Sequence, residues 1–207
     1  MFLFNQQPGR TVIIEKDEYL FFSGYSYLGM SYVTEFVELI KEGIDKYGIV
    51  FPSSRISNTR FPLYKTFEER LALLTGMDES ISFSSGYLAG QTVAAVLSSH
   101  PNLFVSPEAH PAVIPSGKQN HLTVAEWRQK LIEYSNKEKP DEIAIIIDSI
   151  NTAKGCINDF SFLTQIPTSV KIICLADDSH GIGLLGDKGE GIISQLPKQQ
   201  NIEYIIS

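Results

Sequence analysis

The segment Asp177-Asp178-Ser179-His180-Gly181 ends the apolar run Val170–Ala176, and glycines recur after it at positions 183, 186, 189 and 191. A run rich in β-branched and aliphatic residues folds only if it is buried. Here it stops abruptly at two carboxylates and an imidazole. A buried strand that delivers Asp and His at its carboxyl end is how an open α/β sheet presents chemistry to a ligand. Read alone, the same five residues also suit a surface turn closed by an Asp–His hydrogen bond.

The rest of the chain gives that strand neighbours. Thr11–Ile14 and Tyr19–Phe22 read as a short hairpin around Lys16-Asp17-Glu18. Thr34–Tyr47 carries Phe36, Val37, Ile40 and Ile44 at helical spacing, and Tyr64–Thr75 carries Phe67, Leu71 and Leu74 before the stop at Gly76. Between them, 48–62 is irregular. Ser80–Ser84 reads as a short strand that turns through Ser85-Gly86 into an apolar helix, Tyr87–Ser98. Leu103–Val105 is a strand leading to His110, and Thr123–Asn136 is a polar helix with the only tryptophan, Trp127. Glu142–Ile147 is an apolar strand ending at Asp148. Phe160–Gln165 is a short helix, Lys171–Ala176 the strand before Asp177, and Tyr204–Ile206 a last strand. Strands separated by helical segments imply an α/β fold with a mostly parallel sheet and helices on both faces.

Composition excludes some partners. The 207 residues carry a net charge of −7, which disfavours nucleic acid and anionic membrane as main partners. No apolar run is long enough to span a bilayer, and Met1-Phe2-Leu3-Phe4-Asn5 is too short and uncharged to read as a signal peptide. The two cysteines, Cys156 and Cys174, lack metal-site spacing, so no metal is expected. Cys174 sits inside an apolar run and reads as a buried thiol. These features together suggest a reducing, cytoplasmic setting.

Other strand ends also carry polar groups. Phe83-Ser84-Ser85-Gly86-Tyr87 runs from an expected strand into a helix, which puts backbone N–H groups and serine hydroxyls where an anion can bind. A plain turn capped by Ser85 has the same sequence signature. His110, in Glu108-Ala109-His110-Pro111, follows the next strand, and Thr152 follows Asp148-Ser149-Ile150. The ends of four parallel strands would then converge on one edge. A buried Asp beside a His suits a pyridinium ring, since the carboxylate keeps the ring nitrogen protonated.

In order, Tyr27-Leu28-Gly29, Ser54-Arg55, Phe67-Glu68, Leu71-Ala72, Ser85-Gly86-Tyr87, His110 and Asp177-Asp178-Ser179-His180-Gly181 with Gly186 and Gly189-Glu190-Gly191 resemble the α-oxoamine synthases. These belong to the fold-type-I enzymes that depend on pyridoxal 5′-phosphate (PLP). The resemblance covers nearly the whole chain. It implies an acyltransferase that condenses an amino acid with an acyl-CoA and releases CO₂, and it implies a homodimer. An aminotransferase or aldolase-like activity, or a non-catalytic protein retaining the fold, stands as the alternative. The domain pattern it implies is an N-terminal segment, 1–62, and a PLP-binding large domain, 63–207, without the family's small C-terminal domain.

The resemblance also implies residue roles. Asp177 would pair with the pyridine nitrogen and His180 would contact the 3′-oxygen. His110 would stack on the ring. Ser85, Gly86 and Tyr87 would hold the phosphate, and Thr152 and Ser207 would contact the cofactor. Ser207 matches the Ser or Thr that precedes the family's Schiff-base lysine, so that lysine is expected just beyond it. The sequence departs from the family pattern elsewhere. Val50-Phe51-Pro52-Ser53 stands where a glycine-rich segment is usual, Tyr25-Ser26 where Asn-Asp is usual, and Gly90 where Asn is usual. Lys154 and Cys156 stand where acidic residues are common. The cofactor half of the pattern is therefore better kept than the substrate half.

Overall fold

A computed structural model of the protein describes Leu3 and residues 5–207. Met1, Phe2 and Phe4, part of the apolar N-terminal stretch, lie outside the described residues. The chain divides into two units, Met1–Arg60 and Phe61–Ser207.

The first unit holds a hairpin and a helix. Strand β1, Thr11–Ile14, pairs antiparallel with β2, Asp17–Leu20, from Thr11 opposite Leu20 to Ile14 opposite Asp17. The second strand thus begins two residues earlier than its apolar residues suggest. Glu15 takes a positive φ of 58°, so the reversal is complete by Lys16. Helix α1 spans Thr34–Tyr47, as its apolar spacing predicts, and ends at Gly48.

The second unit is an α/β layer structure. Helix α2, Pro62–Thr75, starts with proline in its first turn and stops at Gly76, which adopts the left-handed conformation. Helix α3 covers Gly86–Leu97. Then come β3, Leu103–Val105; α4, Val124–Glu138; and β4, Glu142–Asp148. A small hairpin follows, β5 (Ile150–Asn151) with β6 (Cys156–Ile157). Strands β7, Lys171–Asp177, and β8, Ile202–Ile206, complete the order. The expected helix at 160–165 is a 3₁₀ turn, Ser161–Gln165. Strands β3, β4, β7 and β8 form one parallel sheet in that spatial order.

Strand periodicity sends alternate residues to opposite faces. Ile143, Ile145, Ile147, Ile172, Cys174 and Ala176 pack with Trp127, Leu131 and Leu163. Ala144, Ile146 and Leu175 pack on the other side with Leu97, Val105 and Val113. The central strands β4 and β7 are therefore covered on both faces, which is why they read as continuous apolar runs. Each fully buried aliphatic side chain contributes roughly 1.5–3 kcal/mol. Cys174 is fully buried, and desolvation pushes its thiol up to about 12, so it behaves as a small core residue. Cys156 is exposed.

Ser80–Ser84 does not form the expected strand. Its alternating serines are held by α2 instead. The Ser80 hydroxyl donates to the Glu68 carbonyl at 2.7 Å, and the Ser82 N–H and hydroxyl donate to Glu68 Oε1 at 2.5 and 2.8 Å. Ile81 on the alternate face is 65% exposed. Side-chain anchoring has replaced a β ladder.

Candidate active site

The carboxyl ends of β4 and β7 lie side by side, with Asp148 opposite Asp177 in the parallel register. Partners in such a pair are about 4.8 Å apart. Backbone bonds extend this alignment outward. Ser149 N donates to the Asp177 carbonyl at 2.8 Å, and Asp178 N donates to the Ser207 carbonyl at 2.8 Å. A cavity of about 90 Å³ opens here, lined by Gly86, Tyr87, His110, Ala112, Asp148, Asp177, Ser179 and His180. Five of the residues singled out in the sequence thus meet: Gly86, Tyr87, His110, Asp177 and His180.

Asp177 is 8% exposed, and its Oδ1 accepts from the Ser179 N–H at 3.1 Å and the Ser179 hydroxyl at 2.6 Å. The turn after β7 thus holds the carboxylate in place. Asp178 points into the protein and is fully buried. Its Oδ2 accepts from Ile192 N at 2.8 Å, and its carbonyl accepts from Gly181 N and Ile182 N. Burial pushes the Asp178 carboxyl above the usual range, opposed by the bond from Ile192 N. A side chain at Gly181 or Gly191 would strike this carboxylate. Two of the glycines after His180 are therefore explained by packing around Asp178.

His110 begins a 3₁₀ turn, Pro111–Val113, and its Nδ1 accepts from Ala112 N at 3.1 Å. That bond requires Nδ1 to be unprotonated, so the neutral ring carries its proton on Nε2. The His110 N–H donates to both Asp148 oxygens, at 3.0 and 3.1 Å. Helix α3 holds the turn from the other side. Gln91 Nε2 donates to the Ala112 carbonyl at 2.7 Å. A Cβ at Gly90 would lie 2.9 Å from Val113 Cγ1 and 3.1 Å from the Ala112 carbonyl oxygen. The glycine at 90 therefore permits the close approach of α3 to the His110 turn.

Ser85 caps α3, its hydroxyl accepting from Leu88 N at 3.2 Å. Ser85, Gly86 and Ser207 also line an apolar cleft that runs along β8. The Ser207 hydroxyl is buried there without a hydrogen-bond partner among the described residues. Ser207 is thus near the α3 N-terminus but does not line the smaller cavity.

Thr152 is not brought to the cavity. The chain leaves β4 into the β5–β6 hairpin, and Thr152 lies exposed at its turn, which Gly155 closes with a φ of 62°. Asn151 and Lys154 in that hairpin both bond Glu108, Lys154 Nζ at 2.5 Å. The Lys154 ammonium holds the Glu108 carboxyl below the usual range.

Sequence reasoning passed over Asp148. Its signal was the one used for Asp177, a carboxylate ending an apolar strand. Burial raises the Asp148 carboxyl to about 7, with Asp177 and Glu108 adding to the rise and the His110 N–H opposing it. Among the described residues, no helix is long and apolar enough to cross a membrane.

The residues suit PLP in type and grouping. A buried carboxylate faces a cavity that two imidazoles also line, and a capped helix N-terminus adjoins a hydroxyl that lacks a partner among the described residues. No protein-family model matches the chain. It is 23% identical over 210 residues to an 8-amino-7-oxononanoate synthase of Lysinibacillus sphaericus, covering 99% of this chain and 54% of the relative. It is 24% identical over 206 residues to a serine palmitoyltransferase of Sphingobacterium spiritivorum, covering 94% of this chain and 50% of the relative. The chain spans about half the length of the curated relatives it matches. Among solved structures, a serine palmitoyltransferase from S. paucimobilis with bound PLP–myriocin superposes with a TM-score of 0.77 at 17% identity, over 100% of this chain and 54% of that one. An 8-amino-7-oxononanoate synthase from Francisella tularensis superposes with a TM-score of 0.64 at 22% identity, over 89% and 53%. The resemblance to the α-oxoamine synthases therefore holds along nearly the whole chain, on the α/β architecture of the fold-type-I PLP-dependent enzymes.

Proposed function

We propose that the cavity at the carboxyl edge of the sheet binds PLP, and that this chain is the cofactor-holding part of an acyltransferase. That enzyme joins an amino acid to an acyl-CoA with loss of CO₂. The observation that carries the reading is the meeting of Gly86, Tyr87, His110, Asp177 and His180 around one cavity. When bound, the cofactor's protonated ring supplies an electron sink for negative charge at the amino-acid α-carbon. The Asp177 carboxylate holds the proton on the ring nitrogen. His110 would meet a ring face, and His180 would hydrogen-bond the ring oxygen. The first N–H groups of α3, with the Ser85 and Ser207 hydroxyls, hold the phosphate. Thr152 contributes only if its turn moves toward the cavity.

The finer reading is an 8-amino-7-oxononanoate synthase-like enzyme of biotin biosynthesis, acting as a homodimer in the cytoplasm. The serine palmitoyltransferase relatives supply a second reading, since they match this chain about as well. The protein containing this chain is assayed for CO₂ release with L-alanine and a dicarboxylic acyl thioester, and with L-serine and palmitoyl-CoA. Turnover of the first pair alone supports the finer reading. Turnover of the second alone replaces it, and turnover of neither, with no PLP bound, overturns the general one.

A further inference from the structure

We propose that Asp148 is the positioning residue for His110: from the end of β4 it holds the backbone from which the His110 ring enters the cavity. The proposal rests on the reading of His110 as a group that meets the cofactor ring.

The geometry supports this in three ways. Both Asp148 oxygens accept the same His110 N–H, at 3.0 and 3.1 Å, across 38 residues of sequence. The bond therefore joins the end of β4 to the loop after β3 and not neighbours in one turn. Asp148 itself is set by the ladder, opposite Asp177 on β7. One end of the bond is thus as rigid as the sheet. The other end is the residue that starts a tight turn, with its ring Nδ1 already committed to Ala112 N. Fixing the His110 backbone while the ring caps its own turn leaves the imidazole little freedom, and Nε2 carries the donor.

The arrangement also sets the charge of the cavity. Asp177 and His180 face Asp148 from β7 and the turn after it, and Glu108 and His110 face it from the loop after β3. Glu108 is paired with Lys154. Two carboxylates in one register row repel, and burial favours the neutral form of Asp148.

The test uses the isotopically labelled 207-residue chain, its Asp148→Ala variant and its Asp148→Asn variant. NMR reads amide exchange and the imidazole nitrogen shifts, and each protein is then titrated with PLP. Losing a hydrogen bond to a half-buried carboxyl should speed exchange of the His110 amide by roughly 10-fold or more in Asp148→Ala. The imidazole should leave its single Nε2–H form. Amides of Ile146 and Leu175 should keep their protection. Asn offers one acceptor oxygen, so Asp148→Asn should restore most of both signals. PLP affinity should follow the same order. Unchanged His110 exchange and tautomer in Asp148→Ala, with the core amides intact, would overturn the proposal. If Asp148→Ala does not fold, the wild-type chain decides: the His110 amide shift should titrate in step with the Asp148 carboxyl carbon, and independent titration would overturn it. Wild-type chain that binds no PLP defeats the cofactor reading, while the NMR result still decides the role of Asp148.

Discussion

The Asp178 carboxylate occupies the space that a side chain at Gly181 would need: a Cβ there would lie 1.8 Å from Asp178 Oδ1. On the opposite side, a Cβ at Gly191 would lie 2.1 Å from Oδ2, where φ is also +84°. The loop after β7 is thus wrapped around a buried carboxyl that accepts Ile192 N. Asp178 organises the loop, and its neighbour Asp177 faces the cavity.

Gly181→Ala should therefore destabilise the protein by about 3 kcal/mol, the upper part of the overpacking range. For a chain of this size that lowers the melting temperature by roughly 6–12 °C. Thermal unfolding followed by circular dichroism measures it. A melting temperature equal to wild type would show that Asp178 has another place to go.

A smaller displacement is expected from Gly90→Ala. The new methyl would push the Ala112–Val113 backbone away from α3, costing about 1–2 kcal/mol. Amide shifts should move most at His110, Ala112 and Val113. Changes confined to α3 itself would contradict the packing described here.

The contribution of Asp148 to stability should fall as pH rises from about 4 to about 7. In the fold the Asp148 carboxyl is raised from 3.8 to about 7. Between those values the folded protein keeps a proton that the unfolded chain has lost, so the free energy of unfolding falls as pH increases. Asp148→Asn cannot titrate. It should gain on wild type by about 1–3 kcal/mol between about pH 4 and about pH 8. Asp178 is shifted in the same direction in both proteins and cancels from the comparison. Denaturant midpoints across that range test this, and parallel profiles for the two proteins would contradict it.

Helix α4 offers a control away from the site. Thr123 and Glu126 form a reciprocal capping box, Glu126 N donating to Thr123 Oγ1 at 3.3 Å and Thr123 N to Glu126 Oε2 at 2.8 Å. Thr123→Ala should cost about 1 kcal/mol and leave PLP affinity unchanged. Loss of affinity in this variant would mean that PLP binding reports general stability.

The strands with both faces buried were legible in the sequence because burial forces a continuous apolar run. Glu142–Asp148 and Lys171–Asp177 show this most clearly. Helices α1 and α2 were legible from spacing and from glycine stops. Ser80–Ser84 misled because alternation reports two-sidedness and cannot show whether a strand partner exists. Here Glu68 takes the polar side through side-chain bonds. The β5–β6 hairpin, two residues per strand, is too short to leave a periodic signal, and it is what carries Thr152 away from the cavity. Asp148 was overlooked because no histidine stands beside it in sequence. Its partner His110 is reached only through the fold.

The cavity's claim to hold PLP is tested most directly by titrating the 207-residue chain and its Asp177→Asn variant with PLP, following the cofactor's absorbance and its phosphorus resonance. The wild-type chain should bind in a saturable, equimolar way. Removing the charge partner of the ring nitrogen should weaken binding by roughly 10-fold or more, as expected for a charge-assisted hydrogen bond. Among the described residues no lysine lines the cavity, so borohydride should not fix the cofactor to any one lysine of this chain. Equal binding by the two proteins, or stoichiometric labelling of one lysine such as Lys154 or Lys188, would contradict the placement of the site.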